Sequence, residues 1–107
     1  MAIIRFIDLE LKRVFESMPN DDPIKKGLVR AFEDIENNEG VGRLVIKKAY
    51  QKKEVKRFLE KYEVNNLRIY NLPSAWRLIY SVTADEIGII AVILDWMNHK
   101  DYEKLLR

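Results

Sequence analysis

The longest apolar run in the chain is IGIIAVIL at residues 87–94, and neither its odd-numbered nor its even-numbered positions contain a charged residue. Such a run is too short to cross a bilayer as a helix. Its β-branched side chains favour a strand instead. A strand that is apolar on both faces belongs in the interior of a sheet. We therefore expect a sheet built round this segment.

The two segments before this run alternate as strands of the same sheet. In NNLRIYNLP, Leu67 and Ile69 share one face, and Arg68 and Tyr70 share the other. TADEIG is typical of a hairpin turn into the central strand, and IIRF and GRLVIKK are further strand candidates. Short turns between consecutive strands favour antiparallel pairing. In AWRLIYSV one face carries Trp76, Leu78, Tyr80 and Val82, and the other carries Arg77, Ile79 and Ser81.

Two amphipathic helices are expected between IIRF and GRLVIKK. The second begins at Asp22 and Pro23, an N-cap followed by a first-turn proline, and Gly40 is expected to end it in the left-handed conformation. The two helices are expected to form an antiparallel hairpin that packs on one face of the sheet. Their apolar stripes, at a 3.6-residue period, are Ile7, Leu11, Val14, Phe15 and Met18, then Ile24, Leu28, Ala31, Phe32 and Ile35.

Two further helices are expected later in the chain. KKEVKRFLEKY is inserted between strands, with lysines round an apolar face, and NHKDYEKLLR closes the chain with Asn98 as its N-cap and Asp101 placed for a box-like cap. The expected fold class is α+β. An N-terminal helical hairpin packs on a small, mostly antiparallel sheet, with a short C-terminal helix, in a single domain over residues 1–107.

Composition excludes several kinds of site. The chain has no cysteine and one histidine, which excludes disulfides, thiolate metal sites and the usual His-rich zinc sites. No cofactor or metal is expected. The opening MAIIRFIDLELKR interrupts its apolar residues with charge and lacks the apolar region of a signal peptide. We therefore expect a cytoplasmic protein with no membrane segment.

The net charge of +2 is unevenly distributed. Residues 41–70 carry nine basic and three acidic side chains, a balance of +6, between acidic flanks. This pattern indicates either a surface that faces a polyanion or a lysine-rich solvated helix, and charge alone does not separate the two. The candidate nucleic-acid contacts are Lys47, Lys48, Lys52, Lys53 and Lys56.

Arg77 stands inside a large apolar run, where an unpaired guanidinium would be costly to bury. If the Trp76 face of its strand packs under the helices, Arg77 points to the other face. We expect Arg68 and Tyr70 of the neighbouring strand to lie beside it there. Two interpretations stay open: an ion pair on a solvated sheet, or a site for a phosphate group.

His99 and Tyr102 are three residues apart on the last helix and therefore share a face. The helix follows the central strand directly, so both lie near the rim that the arginine strand reaches. A lone histidine is more often a cap or surface residue than a catalyst. It is also the one side chain here whose unperturbed pKa is near neutrality.

LRIYNLPSAWRLIYSV, an apolar strand and then HKDYEKLL together resemble the RelE/ParE toxin superfamily of type II toxin–antitoxin systems, most closely its archaeal RelE-like members. LKRVFESMPNDDPIKKGLVRAFEDI resembles the paired helices of the family, so the resemblance covers nearly the whole chain. The specific part is the WRLIY strand and the HKxY start of the last helix. Where the family usually has glycine before the strand aromatic, this chain has Ala75.

The resemblance implies a ribosome-dependent messenger RNA endonuclease, or mRNA interferase, that acts without a metal. In that chemistry the 2′-hydroxyl attacks the adjacent 3′-phosphate and leaves a cyclic phosphate and a 5′-hydroxyl, which calls for a base, cations and an acid. Arg77 matches the family arginine that contacts the scissile phosphate, and Arg68 matches a basic position before that strand. His99 and Tyr102 match positions from which members draw an acid or base, and the choice between them stays open.

The resemblance also implies partners. These are a cognate antitoxin, the messenger RNA in the ribosomal A site, and ribosomal RNA, with a toxin that is monomeric alone and forms a hetero-oligomer with its antitoxin. Two alternatives remain. One is a ParE-like gyrase inhibitor or a catalytically decayed toxin, since ParE relatives lack the nuclease residues. The other is a basic RNA-binding module with an unrelated mechanism.

Overall fold

The structure is a computed structural model that describes residues 1–106. Short 3₁₀ turns lie at Lys47–Gln51 and Pro73–Ala75. In chain order the other elements are β1 (Ala2–Phe6), α1 (Leu9–Ser17), α2 (Pro23–Asn37), β2 (Arg43–Leu44), α3 (Lys53–Tyr62), β3 (Arg68–Asn71), β4 (Arg77–Ala84), β5 (Ile89–Met97) and α4 (His99–Leu106).

The strands form one sheet in the order β1-β5-β4-β3-β2. β1 pairs with β5 in parallel, and the other three pairings are antiparallel. The expected α+β class with a mostly antiparallel sheet and a short C-terminal helix is therefore confirmed. β5, which contains the long apolar run, is an interior strand as predicted. β2 is an edge strand of only two residues, much shorter than GRLVIKK suggested.

One face of the sheet is covered by α2 and by an aromatic cluster from α1 and β1. Leu28, Ala31 and Ile35 of α2 are fully buried in a core that also contains Leu78 and Tyr80 of β4. The three rings of Phe6, Phe15 and Phe32 contact each other with centroids 5.2–5.6 Å apart. The predicted stripe of α2 therefore faces this core, as do Leu11, Phe15 and Met18 of the first stripe. Two members of the first stripe do not: Val14 is 48% exposed, and Ile7 packs on the other face of the sheet.

The other face of the sheet is covered as well, by α3 and α4. Val55 of α3 and Leu105 of α4 pack with Ile69, Ile79 and Leu94 in a second core. Each such side chain contributes about 1.5–3 kcal/mol when fully buried. A solvated second face, which the ion-pair interpretation of Arg77 assumed, is therefore wrong. The sheet lies between two layers of helices.

The helix boundaries follow the capping chemistry. Asp22 accepts a hydrogen bond from the Ile24 amide at 2.8 Å, and Asn98 accepts one from the Asp101 amide at 2.9 Å, which confirms both predicted N-caps. The predicted role of Gly40 is wrong. α2 ends at Asn37, its C-cap Asn38 donates from its amide to the Asp34 carbonyl, and Gly40 lies outside the left-handed region. The side chain of Asn38 caps the Gly40 amide instead.

A bulge in β5 positions the start of α4. Ile79 pairs with Asp95 and Tyr80 pairs with Ile93, so Leu94 is an extra residue in the ladder. After this shift Arg77 pairs with Met97, two residues before α4 begins. The bulge thus brings the first turns of α4 beside the first residue of β4. None of the helices within residues 1–106 is long and apolar enough to span a membrane.

Candidate functional site: an arginine–tyrosine–histidine cluster at the rim of the sheet

Arg77 and Tyr102 are stacked at the end of β4. The guanidinium carbon lies 5.4 Å from the centroid of the Tyr102 ring, a cation–π contact, and Nη1 donates to the Trp76 carbonyl at 3.1 Å. Such a contact contributes about 0.5–2 kcal/mol, more as it loses water. Arg77 is half-buried because α4 leans over the sheet at this point. The structure therefore brings together two of the residues singled out from the sequence.

A second guanidinium reaches the same tyrosine from β2, a strand at the edge of the sheet. Arg43, the first residue of β2, donates from Nη2 to the Tyr102 hydroxyl at 2.7 Å. Tyr102 thus has one arginine over its ring and another at its hydroxyl. Within residues 1–106 neither guanidinium has a carboxylate at ion-pair distance. Two arginines without a carboxylate partner favour the binding of an external anion.

His99 is paired with a carboxylate one helical turn away. Its Nε2 lies 2.5 Å from Oε1 of Glu103, and the two side chains are about half and one-third exposed. A neutral imidazole that donates from Nε2 to this carboxylate has Nδ1 left as its acceptor. His99 is thus oriented with one nitrogen available to take a proton.

All of these side chains except Arg77 line one open groove between β2, the following 3₁₀ turn and α4. Its volume is about 550 Å³. One end is polar, with Arg43, His99, Tyr102 and Glu103. The rest of the lining is aliphatic: Leu44, Val45, Ile46, Ala49 and Leu106.

Arg68 and Tyr70 do not join the cluster, and the expectation that they lie beside Arg77 is wrong. Arg68 pairs with Tyr80 and Tyr70 pairs with Leu78, so both point to the α2 face. Arg77 pairs with Asn71 and points to the α4 face. The Arg68 guanidinium donates to the carbonyls of Gly42 at 2.8 Å and Gly40 at 3.3 Å.

The α2 face nevertheless holds Arg43 in position, through Tyr80. The buried Tyr80 hydroxyl accepts from the Gly42 amide and donates to the Glu39 carbonyl, both at 2.8 Å. Burial raises the pKa of Tyr80 and keeps it a neutral donor. Together with Arg68, this hydroxyl fixes the segment immediately before Arg43. Arg68 therefore acts on the site from behind the sheet.

Tyr70 is engaged elsewhere on the α2 face. Its hydroxyl lies 2.5 Å from Oδ2 of Asp34. Burial, followed by this hydrogen bond to a carboxylate, raises the pKa of Tyr70 to about 12. The pair links β3 to α2 across the edge of the first core.

The candidate lysines lie next to the groove. Lys47 and Lys48 are in the 3₁₀ turn, Lys52 directly precedes α3, and Lys53 and Lys56 are in the first turn of α3. All five are exposed. Lys52 also donates to the carbonyl of Leu106 at the end of α4.

Sequence reasoning missed Arg43 and Glu103. Glu103 lies four residues after His99, a spacing that brings side chains together on a helix, so its role could have been read from the sequence. No local signal identifies Arg43, because its partner lies 59 positions away.

No three His, Cys, Asp or Glu side chains within residues 1–106 are grouped as metal ligands. The chain matches no protein-family model, no curated protein and no solved structure.

Proposed function

We propose that this chain is the toxin of a type II toxin–antitoxin system, a ribosome-dependent endonuclease that cleaves messenger RNA through its own 2′-hydroxyl. The observation that supports this is the cluster at the rim: Arg43 and Arg77 both contact Tyr102 and have no carboxylate partner, and His99 lines the same groove as Arg43 and Tyr102. The WRLIY and HKxY resemblance points to the same residues.

The cluster supplies the cations, the base and the acid that the reaction requires. Arg77 and Arg43 bind the scissile phosphate and stabilise the charge that develops on its oxygens. Nδ1 of His99 takes the proton of the 2′-hydroxyl, whose oxygen attacks phosphorus. The bond from phosphorus to the 5′-oxygen breaks, and that oxygen takes a proton from Tyr102. The products are a 2′,3′-cyclic phosphate and a 5′-hydroxyl.

The hydrogen bonds favour this division of roles between His99 and Tyr102. Arg43 donates to the Tyr102 oxygen, so the phenolic proton is free to be donated. The Nε2 side of His99 faces Glu103, which leaves Nδ1 as the acceptor and stabilises the imidazolium once it forms. Tyr102 is therefore the acid and His99 the base.

The partners belong to the same proposal. The exposed lysines from Lys47 to Lys56 contact ribosomal RNA around the A site, and a cognate antitoxin in the cytoplasm binds the toxin and blocks the groove. The free toxin is a monomer and the complex a hetero-oligomer.

Primer extension on a defined message in a translation system from a matched host tests the proposal. The arms are the wild type, Arg77→Ala, the exposed control Arg13→Ala on α1, and wild type without ribosomes. We expect cuts within the A-site codon that require both ribosomes and Arg77 and persist in Arg13→Ala. Absence of cuts from folded wild-type protein contradicts the proposal and favours a gyrase inhibitor or a decayed toxin, which a DNA supercoiling assay separates.

A further inference from the structure

The groove at the rim is mostly aliphatic, although it adjoins a cluster of charged side chains. Leu44 and Ile46, on either side of the buried Val45, are 50% and 66% exposed. They are the two most exposed aliphatic side chains in the lining of the groove. They form the wall that leads away from Arg43 and Tyr102.

A second, shallower depression continues this wall toward α3. It shares Ile46 and Ala49 with the groove and is otherwise lined by Lys48, Gln51 and Lys52. The two depressions therefore form one track, which runs from the arginine–tyrosine cluster over Ile46 to the lysines. Along this track, basic side chains come first, then the aliphatic surface, and then basic side chains again.

The charge on the β2 side of the track, residues 41–52, has one sign. Residues 41–52 contain Arg43, Lys47, Lys48 and Lys52 and no acidic residue. Glu103 is the acidic side chain of the groove lining, and it lies on the α4 side in contact with His99. A track of this kind is complementary to a strand that carries phosphates on both sides of an apolar ring. A peptide strand fits less well, because the β2 edge offers only two residues for backbone pairing.

We propose that the groove between β2 and α4 holds an unstacked nucleobase of single-stranded RNA against Leu44 and Ile46. The adjoining phosphate lies at Arg43 and Arg77, and the strand continues over Ile46 to Lys48 and Lys52. This base site rests on the proposed function, since it is next to the proposed scissile phosphate. A duplex is excluded from the track because its bases are stacked inside.

Binding of RNA that cannot be cleaved separates the base site from the chemistry. The probe is a short labelled single strand with every 2′-hydroxyl methylated, titrated with the full-length chain and followed by fluorescence anisotropy. Ile46→Ser is compared with Ile87→Ser, which alters a side chain that is 76% exposed in the β4–β5 turn. We expect Ile46→Ser to weaken binding about tenfold, within the usual range of contacts to a base. Ile87→Ser should bind as the wild type does.

Two further arms test the base and the strand path. When a single abasic position is moved along the probe, one placement should weaken binding to the wild type by a similar factor. With that probe, Ile46→Ser should have no further effect. Lys48→Gln should reduce the salt slope of binding by about 0.7, the value for one phosphate contact on a single strand. The control Lys12→Gln on α1 should leave the slope unchanged. A duplex of the same sequence should be insensitive to Ile46→Ser.

The outcomes distinguish the base site from the proposed function. If cleavage in the translation system is found but Ile46→Ser binds as Ile87→Ser does, the base site is wrong and the nuclease proposal stands. If the Ile46 and abasic effects appear without any cleavage, the base site stands and the nuclease proposal fails. Absence of binding by the wild type overturns the base site, as does tighter binding of an acidic peptide at the same groove.

Discussion

The guanidinium of Arg43 donates to the hydroxyl of Tyr102 at 2.7 Å, although 59 positions separate the two residues in the chain. This bond joins the edge strand β2 to the last helix and closes one end of the groove. On the other side of the same ring lies Arg77. Tyr102, the two guanidiniums and the wall of the groove are thus one connected unit.

We predict that Arg43 and Tyr102 act together in cleavage. Arg43→Ala and Tyr102→Phe should each reduce the cleavage rate in the translation system by about 100-fold, the low end for loss of a proton donor or its partner. Because each change also removes the bond between them, the double variant should lose much less than the product of the two factors. Rates from single-turnover cleavage would show this, and fully multiplicative losses would mean that the bond has no role.

Gly42 is predicted to be intolerant of a side chain. A Cβ at Gly42 would lie 2.6 Å from the Tyr80 hydroxyl and 2.7 Å from its ring. Gly42→Ala should therefore lower the free energy of unfolding by about 1–3 kcal/mol. Gly40→Ala is the matched control, since its nearest neighbour would lie at an ordinary 3.4 Å. Urea denaturation of both variants measures the difference, and equal stabilities would contradict the proposed packing of Tyr80 against residues 39–42.

Ala75 is predicted to be a strained position. It has φ +63° directly after Ser74 at φ +57°, just before β4 begins. Left-handed backbone destabilises the folded state by about 1–2 kcal/mol when the residue has a Cβ. Glycine avoids this penalty, but its greater freedom in the unfolded chain offsets about 0.5–1 kcal/mol of the gain. Ala75→Gly should thus raise the free energy of unfolding by up to about 1 kcal/mol. Ala84→Gly, at the end of β4, should lower it. Thermal unfolding of both variants measures the two changes in stability, and a change of the opposite sign at either position would contradict the prediction.

Tyr70 is predicted to titrate late among the five tyrosines. Its pKa of about 12 reflects burial first and the Asp34 carboxylate second. The folded state therefore holds this proton more tightly than the unfolded chain, so its contribution to stability is present below pH ~10 and is lost as the pH rises toward 12. In an absorbance titration of tyrosinate, Tyr70→Phe should remove a late component. Asp34→Asn should shift that component to lower pH but not abolish it.

Periodicity alone determined much of the fold. The alternation in AWRLIYSV correctly separates Leu78 and Tyr80 from Ile79, and the apolar run at 87–94 correctly predicts an interior strand. The caps at Asp22 and Asn98 are equally local and were predicted correctly, because a short polar side chain reaches an amide two or three residues ahead. The spacing of His99 and Tyr102 likewise placed both on one groove.

The sequence could not determine which faces of two neighbouring strands lie on the same side of the sheet. Alternation shows that Arg68 and Tyr70 share a face, and that Arg77 and Ile79 share a face, but not whether the two faces are the same. The register of β3 on β4 decided that they are opposite, since a shift of one residue reverses every side chain. That register is consistent with packing between distant residues, since it places Leu67, Ile69 and Ile79 together against the second helix layer. The tertiary structure alone therefore removed Arg68 from the cluster and placed Arg43 within it.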